Sequence, residues 1–264
     1  MKPRQVPIVL AIAGSDSGGG AGLQADARAI RALGCHALEA VTAVTAQDGR
    51  RVAAWSPVPP RLVSAQIAAA LSGFPVAAAK TGLLPGVAAI RAVARGLRGR
   101  RKIPLVVDPV IASTSGTRFL SPGGVRVLRL ELLPLATLVT PNRPEAAALT
   151  GRRIRDDAGA EAAALLLARE TGASVLVKGG HARGDRCRDC LATPGGSVRW
   201  FGSRRVRTRN THGTGCALAS AIAAGLARGW AVEKAVRQAR LLLWRSLVRN
   251  RRNRWGAGAG PAFF

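Results

Sequence analysis

The chain has 264 residues, 48% of them hydrophobic, which is enough apolar content for one large α/β domain or two small ones with a real core. Its net charge of +26, from 40 Lys+Arg against 14 Asp+Glu, invites a nucleic-acid reading. Against it, the excess is arginine spread along the chain, and aromatics at 4% with no tyrosine are too sparse for a base-stacking platform, so the expectation is a solvated basic surface with no specific nucleic-acid partner. Cys35, Cys187, Cys190 and Cys216 are too few and too scattered for a disulfide framework. Pro3 and Pro7 stand where a hydrophobic leader would run, and no apolar run approaches the roughly 20 residues of a membrane span. A soluble, cytoplasmic protein is expected.

In chain order, strand-like and helix-like segments alternate, the pattern of a mostly parallel sheet with helices on its faces. Residues 6–13 read as a buried strand, 14–22 as a glycine-rich turn and 23–33 as a helix. The turn satisfies neither G-x-G-x-x-G nor the P-loop pattern, yet a strand-to-helix turn of this kind sits where open α/β sheets bind ligands. Asp26, one turn into the helix, either reaches back into that site or compensates the helix dipole.

Residues 35–45 and 51–55 read as adjacent strands joined by a turn at Asp48-Gly49, a small β flap that interrupts the alternation. Gln47 in this flap offers an amide donor and acceptor suited to a heterocycle edge, or is simply solvated. Helices over 61–71 and 86–97 flank a strand at 76–80, and a strand over 103–107 ends at Asp108, a carboxylate on an apolar strand end that calls for a cation. A helix over 125–133 and a strand over 136–139 lead to Asn142 and Glu145, three apart at a helix start. That spacing suits hydrated magnesium and phosphate oxygens, and equally an N-cap with a capping-box glutamate.

A helix over 158–171 and a strand over 174–177 ending at Lys178 follow; residues 185–206 read as loops and edge strands, with Cys187 and Cys190 as incidental thiols. The polar stretch from Arg209 to Cys216 runs straight into a small-residue helix over 217–228, and 232–248 is the closing helix. Gly213, Thr214 and Gly215 at that helix start form an anion site, where backbone N–H groups and the helix dipole favour a phosphate. Cys216 falls in the first turn, where the dipole is expected to lower its pKa, and a glycine turn before a helix with a buried cysteine is the alternative. With no repeat and no linker, residues 1–264 are expected to form a single domain.

Seven motifs in order now resemble a known family: Ala13 to Asp26, Thr45-Ala46-Gln47, Lys80-Thr81-Gly82, Val107 to Val110, Thr140 to Glu145, Val177 to His181 and Thr211 to Cys216. The pattern is similar to that of the hydroxymethylpyrimidine/phosphomethylpyrimidine kinases of thiamine biosynthesis, members of the ribokinase-like superfamily, and extends to residues 256–261. The resemblance implies a three-layer αβα fold with a mostly parallel sheet and a small β flap, and a homodimer. It implies ATP- and Mg2+-dependent phosphorylation of 4-amino-5-hydroxymethyl-2-methylpyrimidine and then of its monophosphate, with a pyridoxal or pyridoxine kinase as the neighbouring activity.

By matching motifs, Gln47, Gly14 and Asp26 would line the pyrimidine pocket, and Gly213, Thr214 and Gly215 would form the anion hole. Cys216 would stand where related sugar kinases carry an aspartate base. Lys178, Asn142 and Asp108 would face the nucleotide, with Asp108 and Glu145 toward magnesium. Leu83 replaces a frequent methionine over the pyrimidine, and Asp48-Gly49 replaces an Asn-Thr-like pair.

Overall fold

The structure, a computed structural model, describes residues 5–100, 102–113, 116–180 and 184–262. A nine-stranded sheet with the order β3-β2-β1-β4-β5-β6-β7-β8-β9 forms its middle layer. The strands are β1 (Ile8–Asp16), β2 (His36–Gln47), β3 (Val52–Pro57), β4 (Val76–Thr81), β5 (Leu105–Val107), β6 (Leu138–Val139), β7 (Ser174–Val177), β8 (Arg186–Ala192) and β9 (Val198–Arg204). Pairs from β2 through β7 are parallel, while β3 and the β8–β9 hairpin add antiparallel edges.

The central strands are covered on both faces, which is why they read as apolar runs. Leu10 and Ile12 of β1 pack with α2 (Pro60–Gly73), α3 (Gly86–Leu97), α5 (Arg143–Thr150) and α6 (Asp157–Thr171). Val9, Ala11 and Ala13 face the other way, onto α1 (Gly22–Ala32), α7 (Thr214–Ala227) and α8 (Val232–Asn250). This is the expected three-layer αβα arrangement, and β2 with β3 makes the expected flap, paired only from Ala43 to Gln47. Among the described residues no helix is long and apolar enough to cross a membrane.

Several boundaries differ from the sequence reading, three of them by three residues or more. The first strand runs on to Asp16, because Gly14 to Asp16 continue the pairing with β2 after a register shift at Ala13/Gly14. The helix expected over 125–133 begins earlier, as α4 (Pro122–Val127), with Ser121 accepting the Gly124 N–H at its cap; π and 3-10 turns then carry the chain over 128–135. α7 starts at Thr214, so Thr214, Gly215 and Cys216 belong to its first turn.

Candidate active site

The parallel strands β1, β5, β6 and β7 deliver Asp16, Asp108, Asn142 and Lys178 to their C-terminal ends, where an open α/β sheet leaves a crevice. A cavity of about 490 Å³ opens there, and all four residues line it. α7 points its N-terminus into the same space. Gly213 precedes it at φ +79°, and a Cβ at that position would lie 2.0 Å from the Gly20 carbonyl oxygen, so only glycine lets the two turns touch. No side chain caps α7 and its first turn carries no acid, leaving positive potential at residues 213–215.

Asp108 and Lys178 meet beside this turn at 2.7 Å, and Thr140 Oγ1 donates to Asp108 at 3.3 Å. Both Asp108 Oδ2 and Lys178 Nζ stand 3.4 Å from where a Cβ of Gly215 would be, which brings cation, carboxylate and backbone donors to one spot. Burial works against the Lys178 ammonium, but the charges of Asp108 and Glu145 hold it above its ordinary value. Asn142 and Glu145 form a capping box on α5: Asn142 Oδ1 accepts the Glu145 N–H at 2.9 Å, and Glu145 Oε2 accepts the Asn142 N–H at 2.8 Å. The two readings of this pair coexist, since both residues also line the cavity. Burial, with Asp108 adding to it, pushes Glu145 up to about 7 against the pull of Lys178.

Elsewhere on the lining, Gln47 Nε2 donates to Thr45 Oγ1 at 3.0 Å, which orients the amide with its acceptor Oε1 turned away from Thr45. Gly14 lies under Leu83, where a Cβ would come 2.8 Å from Leu83 Cδ2. Leu83 and Phe119, with Val110, make a small apolar cluster on this part of the lining, edge-on to Trp55. Val110 has φ +37°, an uncommon backbone for a β-branched residue and one that concentrates at ligand sites.

The structure corrects two expectations. Asp26 does not line the cavity: it is fully buried, with Lys80 Nζ at 2.8 and 2.7 Å from its two oxygens and Ser220 Oγ donating to Oδ1 at 2.8 Å. Its position one turn into α1 turns it toward α7 and β4 rather than back to the glycine turn. The Cys216 thiol is raised, not lowered, to about 11. Burial is the chief cause, with Asp26 and Asp108 adding to it. Lys80 and the Gly22 N–H pull the other way and do not prevail.

Two residues inside the quoted motifs carry roles that sequence reasoning missed. Asp16 accepts N–H groups from Gly18, Gly20 and Ala21 at 2.7, 2.9 and 2.7 Å, and His212 Nε2 lies 2.8 Å from its Oδ2. Burial opposes the charge, yet the His212 bond and these backbone donors hold Asp16 below its ordinary value. An aspartate two residues before a run of three glycines was the available signal for such an N–H cradle. His181 lies outside the described residues. Cys187 and Cys190 are free thiols, Cys190 in the core and Cys187 half-buried at the cavity, and no group of three or more metal-ligating side chains occurs among the described residues.

Comparison with known proteins gives a consistent picture. The family model described as phosphomethylpyrimidine kinase matches residues 16–262. A hydroxymethylpyrimidine/phosphomethylpyrimidine kinase of Rhizobium meliloti is 46% identical over 257 residues, covering 96% of this chain and 95% of that protein. Among solved structures, the phosphomethylpyrimidine kinase from Clostridium difficile superposes with a TM-score of 0.80 at 32% identity, over 92% of this chain and 100% of the other. The pyridoxal kinase from Staphylococcus aureus in complex with AMP-PCP and pyridoxal gives a TM-score of 0.87 at 30% identity, over 98% of this chain and 93% of the other.

Proposed function

The chain belongs to the phosphomethylpyrimidine kinase family, and on that premise we propose the path of its reaction. ATP phosphorylates the hydroxymethyl group of 4-amino-5-hydroxymethyl-2-methylpyrimidine, and a second ATP converts the monophosphate to the diphosphate. The observation that carries this reading is a single cavity with two unlike walls. One wall, with Gln47, Leu83, Val110 and Phe119, suits a small methylated heterocycle; the other, with residues 213–215, Asp108 and Lys178, suits a phosphoryl group in flight.

In the first step the hydroxyl oxygen bonds to the γ-phosphorus, the bond to the β,γ-bridging oxygen breaks, ADP departs and the hydroxyl proton passes to water. In the second step an ionised phosphate oxygen of the monophosphate attacks in the same way and no hydroxyl proton has to leave. Such a transfer proceeds through a loose transition state, so the protein's work is positioning and charge stabilisation. Gln47 presents Oε1 to the exocyclic amine of the pyrimidine, and the apolar cluster packs its methyl group. The Gly213 and Gly215 N–H groups and the Lys178 ammonium face the equatorial oxygens, while the Thr214 N–H donates to the Thr211 carbonyl at 3.3 Å and shapes the turn. With a thiol raised to about 11, Cys216 enters the reaction protonated and orients the acceptor hydroxyl rather than standing ready as a thiolate base.

Asp108 and Glu145 fit a magnesium ion: they are hard carboxylate donors beside the anion turn, and a pair suffices because this ion usually completes its shell with water and phosphate. Bound there, magnesium would neutralise phosphate charge. Asn142 lies at the same end, toward the nucleotide. The enzyme works as a cytoplasmic homodimer in this reading, which light scattering of the purified protein checks.

The test is ATP-dependent phosphorylation of hydroxymethylpyrimidine, its monophosphate and pyridoxal side by side, with and without magnesium. Conversion of the pyrimidine to the diphosphate is expected. Activity on pyridoxal alone would move the assignment to that kinase, the reading favoured by the Staphylococcus aureus likeness.

A further inference from the structure

After α8 residues 258–262 bond to two turns, the one after Gln47 and the one holding His212, and both Gln47 and His212 line the cavity. The His212 N–H donates to the Gly260 carbonyl at 3.0 Å, and the Ala262 N–H donates to the His212 carbonyl at 2.8 Å. The Ala259 N–H donates to the Gly49 carbonyl at 2.9 Å, at the tip of the β2–β3 hairpin that bears Gln47.

Two further links close a ring around the mouth. The Gln47 N–H donates to Ser17 Oγ at 2.9 Å, and Ser17 Oγ donates to the Gln47 carbonyl at 3.1 Å, tying the hairpin to the glycine turn. Asp16 on that turn then meets His212 at 2.8 Å, immediately before the anion turn.

The tail has little freedom to slide within this ring. A Cβ on Gly260 would come 2.2 Å from Asn210 Oδ1. Asn210 is buried and anchored, its Nδ2 donating to the Asn250 and Asn253 carbonyls at 2.6 and 3.0 Å. A Cβ on Gly258 would come 2.6 Å from the Gly49 carbonyl carbon. Ala262 is fully buried, and its carbonyl accepts from Ser246 Oγ of α8 at 2.9 Å. The outer side of the hairpin is open: β3 is an edge strand with exposed residues from Ala53 to Pro57, and Trp55 reaches back only edge-on to Phe119.

We propose that Gly258 to Ala262 is a positioning segment of the kinase site. It holds the hairpin of Gln47 at a fixed distance from the anion turn at residues 213–215, and so sets which heterocyclic alcohols place their hydroxyl within reach of the transferring phosphoryl group. The effect follows from geometry: the heterocycle is read at one turn and phosphorylated at another, and the tail is the backbone connection that spans both. The substrate arm of this inference rests on the proposed pyrimidine kinase reaction; the mechanical arm does not.

The experiment uses the full-length chain with Gly260→Ala, which crowds Asn210, and Ser246→Ala, which frees the Ala262 carbonyl without adding an atom. For Gly260→Ala, kcat/KM for the pyrimidine should fall about ten- to hundred-fold with KM for ATP held within about twofold. Ser246→Ala should show the same split with a smaller loss. Amide hydrogen exchange should rise together at residues 47–51 and 211–216 while α3 stays protected.

Wild-type kinetics in both folded variants would overturn the proposal. So would exchange rising at only one of the two segments, or equal losses toward both substrates tracking a lowered melting temperature. If Gly260→Ala does not fold, Ser246→Ala decides alone on the same readouts. Coupled exchange in a protein whose wild type phosphorylates no pyrimidine would refute the proposed reaction and leave the mechanical role standing.

Discussion

Replacing Lys80 by methionine removes the cation from a fully buried pair while keeping most of the side-chain volume. Lys80 Nζ touches both oxygens of Asp26 within 2.8 Å, neither side chain has solvent contact, and the partner left to the carboxylate is the Ser220 hydroxyl. Burial raises the Asp26 carboxyl and works against the lysine's charge, but Asp26, with smaller help from Cys216 and Asp108, keeps Lys80 above its ordinary value. The two short contacts from one ammonium to both carboxylate oxygens make the pair an ion pair in the folded state. Stripping one partner from such a pair costs about 3–5 kcal/mol, because the other charge stays behind in a dry interior. For a domain of this size, at about 2 °C per kcal/mol, Lys80→Met should melt about 6–10 °C below the wild type.

The double variant Asp26→Asn/Lys80→Met leaves no buried charge and should recover most of that loss, to within about 2 kcal/mol of the wild type. The pH sign is also fixed. In Lys80→Met the lone Asp26 carboxyl titrates far above its unfolded value, so the deficit is largest at high pH and narrows as the pH falls toward that unfolded value. Thermal and urea unfolding at about pH 5 and pH 8 measure all three quantities. A Lys80→Met protein within about 1 °C of the wild type, or a double variant no more stable than Lys80→Met, would refute the ion-pair account and reopen Asp26 as a substrate ligand.

Cys216→Ala should lower kcat about ten- to hundred-fold with KM for ATP little changed, and near-normal turnover would remove the thiol from the reaction. In the free enzyme, alkylation of Cys216 should still climb about tenfold per pH unit between pH 7 and 9, since its thiol sits at about 11; a plateau below pH 9 would contradict the burial argument. Gln47→Ala should raise KM for the pyrimidine about tenfold and leave KM for ATP unchanged, and a matched rise in both would place Gln47 outside the heterocycle pocket. Asp16→Asn tests the N–H cradle. Asp16 is held below its ordinary 3.8, so the stability it contributes is present above that value and disappears as the pH falls through its lowered one. A gap between wild type and variant that does not shrink on acidification would dismiss the cradle.

Periodicity and turn chemistry make much of the scaffold legible. The apolar runs of β1, β4 and β7 read as buried strands because both their faces are covered, and the switch to the small-residue helix after Gly213 marks the uncapped helix start through glycine placement alone. Gly213, Thr214, Gly215, Asp108, Asn142, Glu145 and Lys178 all stand in one cavity, since strand ends in a parallel sheet are gathered by the fold itself. Local sequence also contained the capping box of Asn142 and Glu145, which needs only a spacing of three.

What local sequence left open was every property that depends on partners far along the chain. Asp26 belongs to Lys80, 54 positions away, and Asp16 to His212, 196 positions away; neither pairing leaves a periodic trace. The Cys216 thiol illustrates the same limit from the side of energy. Its place in the first turn of a helix argues for a lowered pKa, but the residue sits half-buried at the cavity, and the desolvation of a thiolate there outweighs the helix dipole. Chain order therefore determined the layers, the strand ends and the glycine turns, because these follow from neighbours in sequence. Tertiary packing decided which charges are sealed, which stand at the cavity and which turns the C-terminal segment bonds to, because burial and long-range contact exist only once the layers have closed.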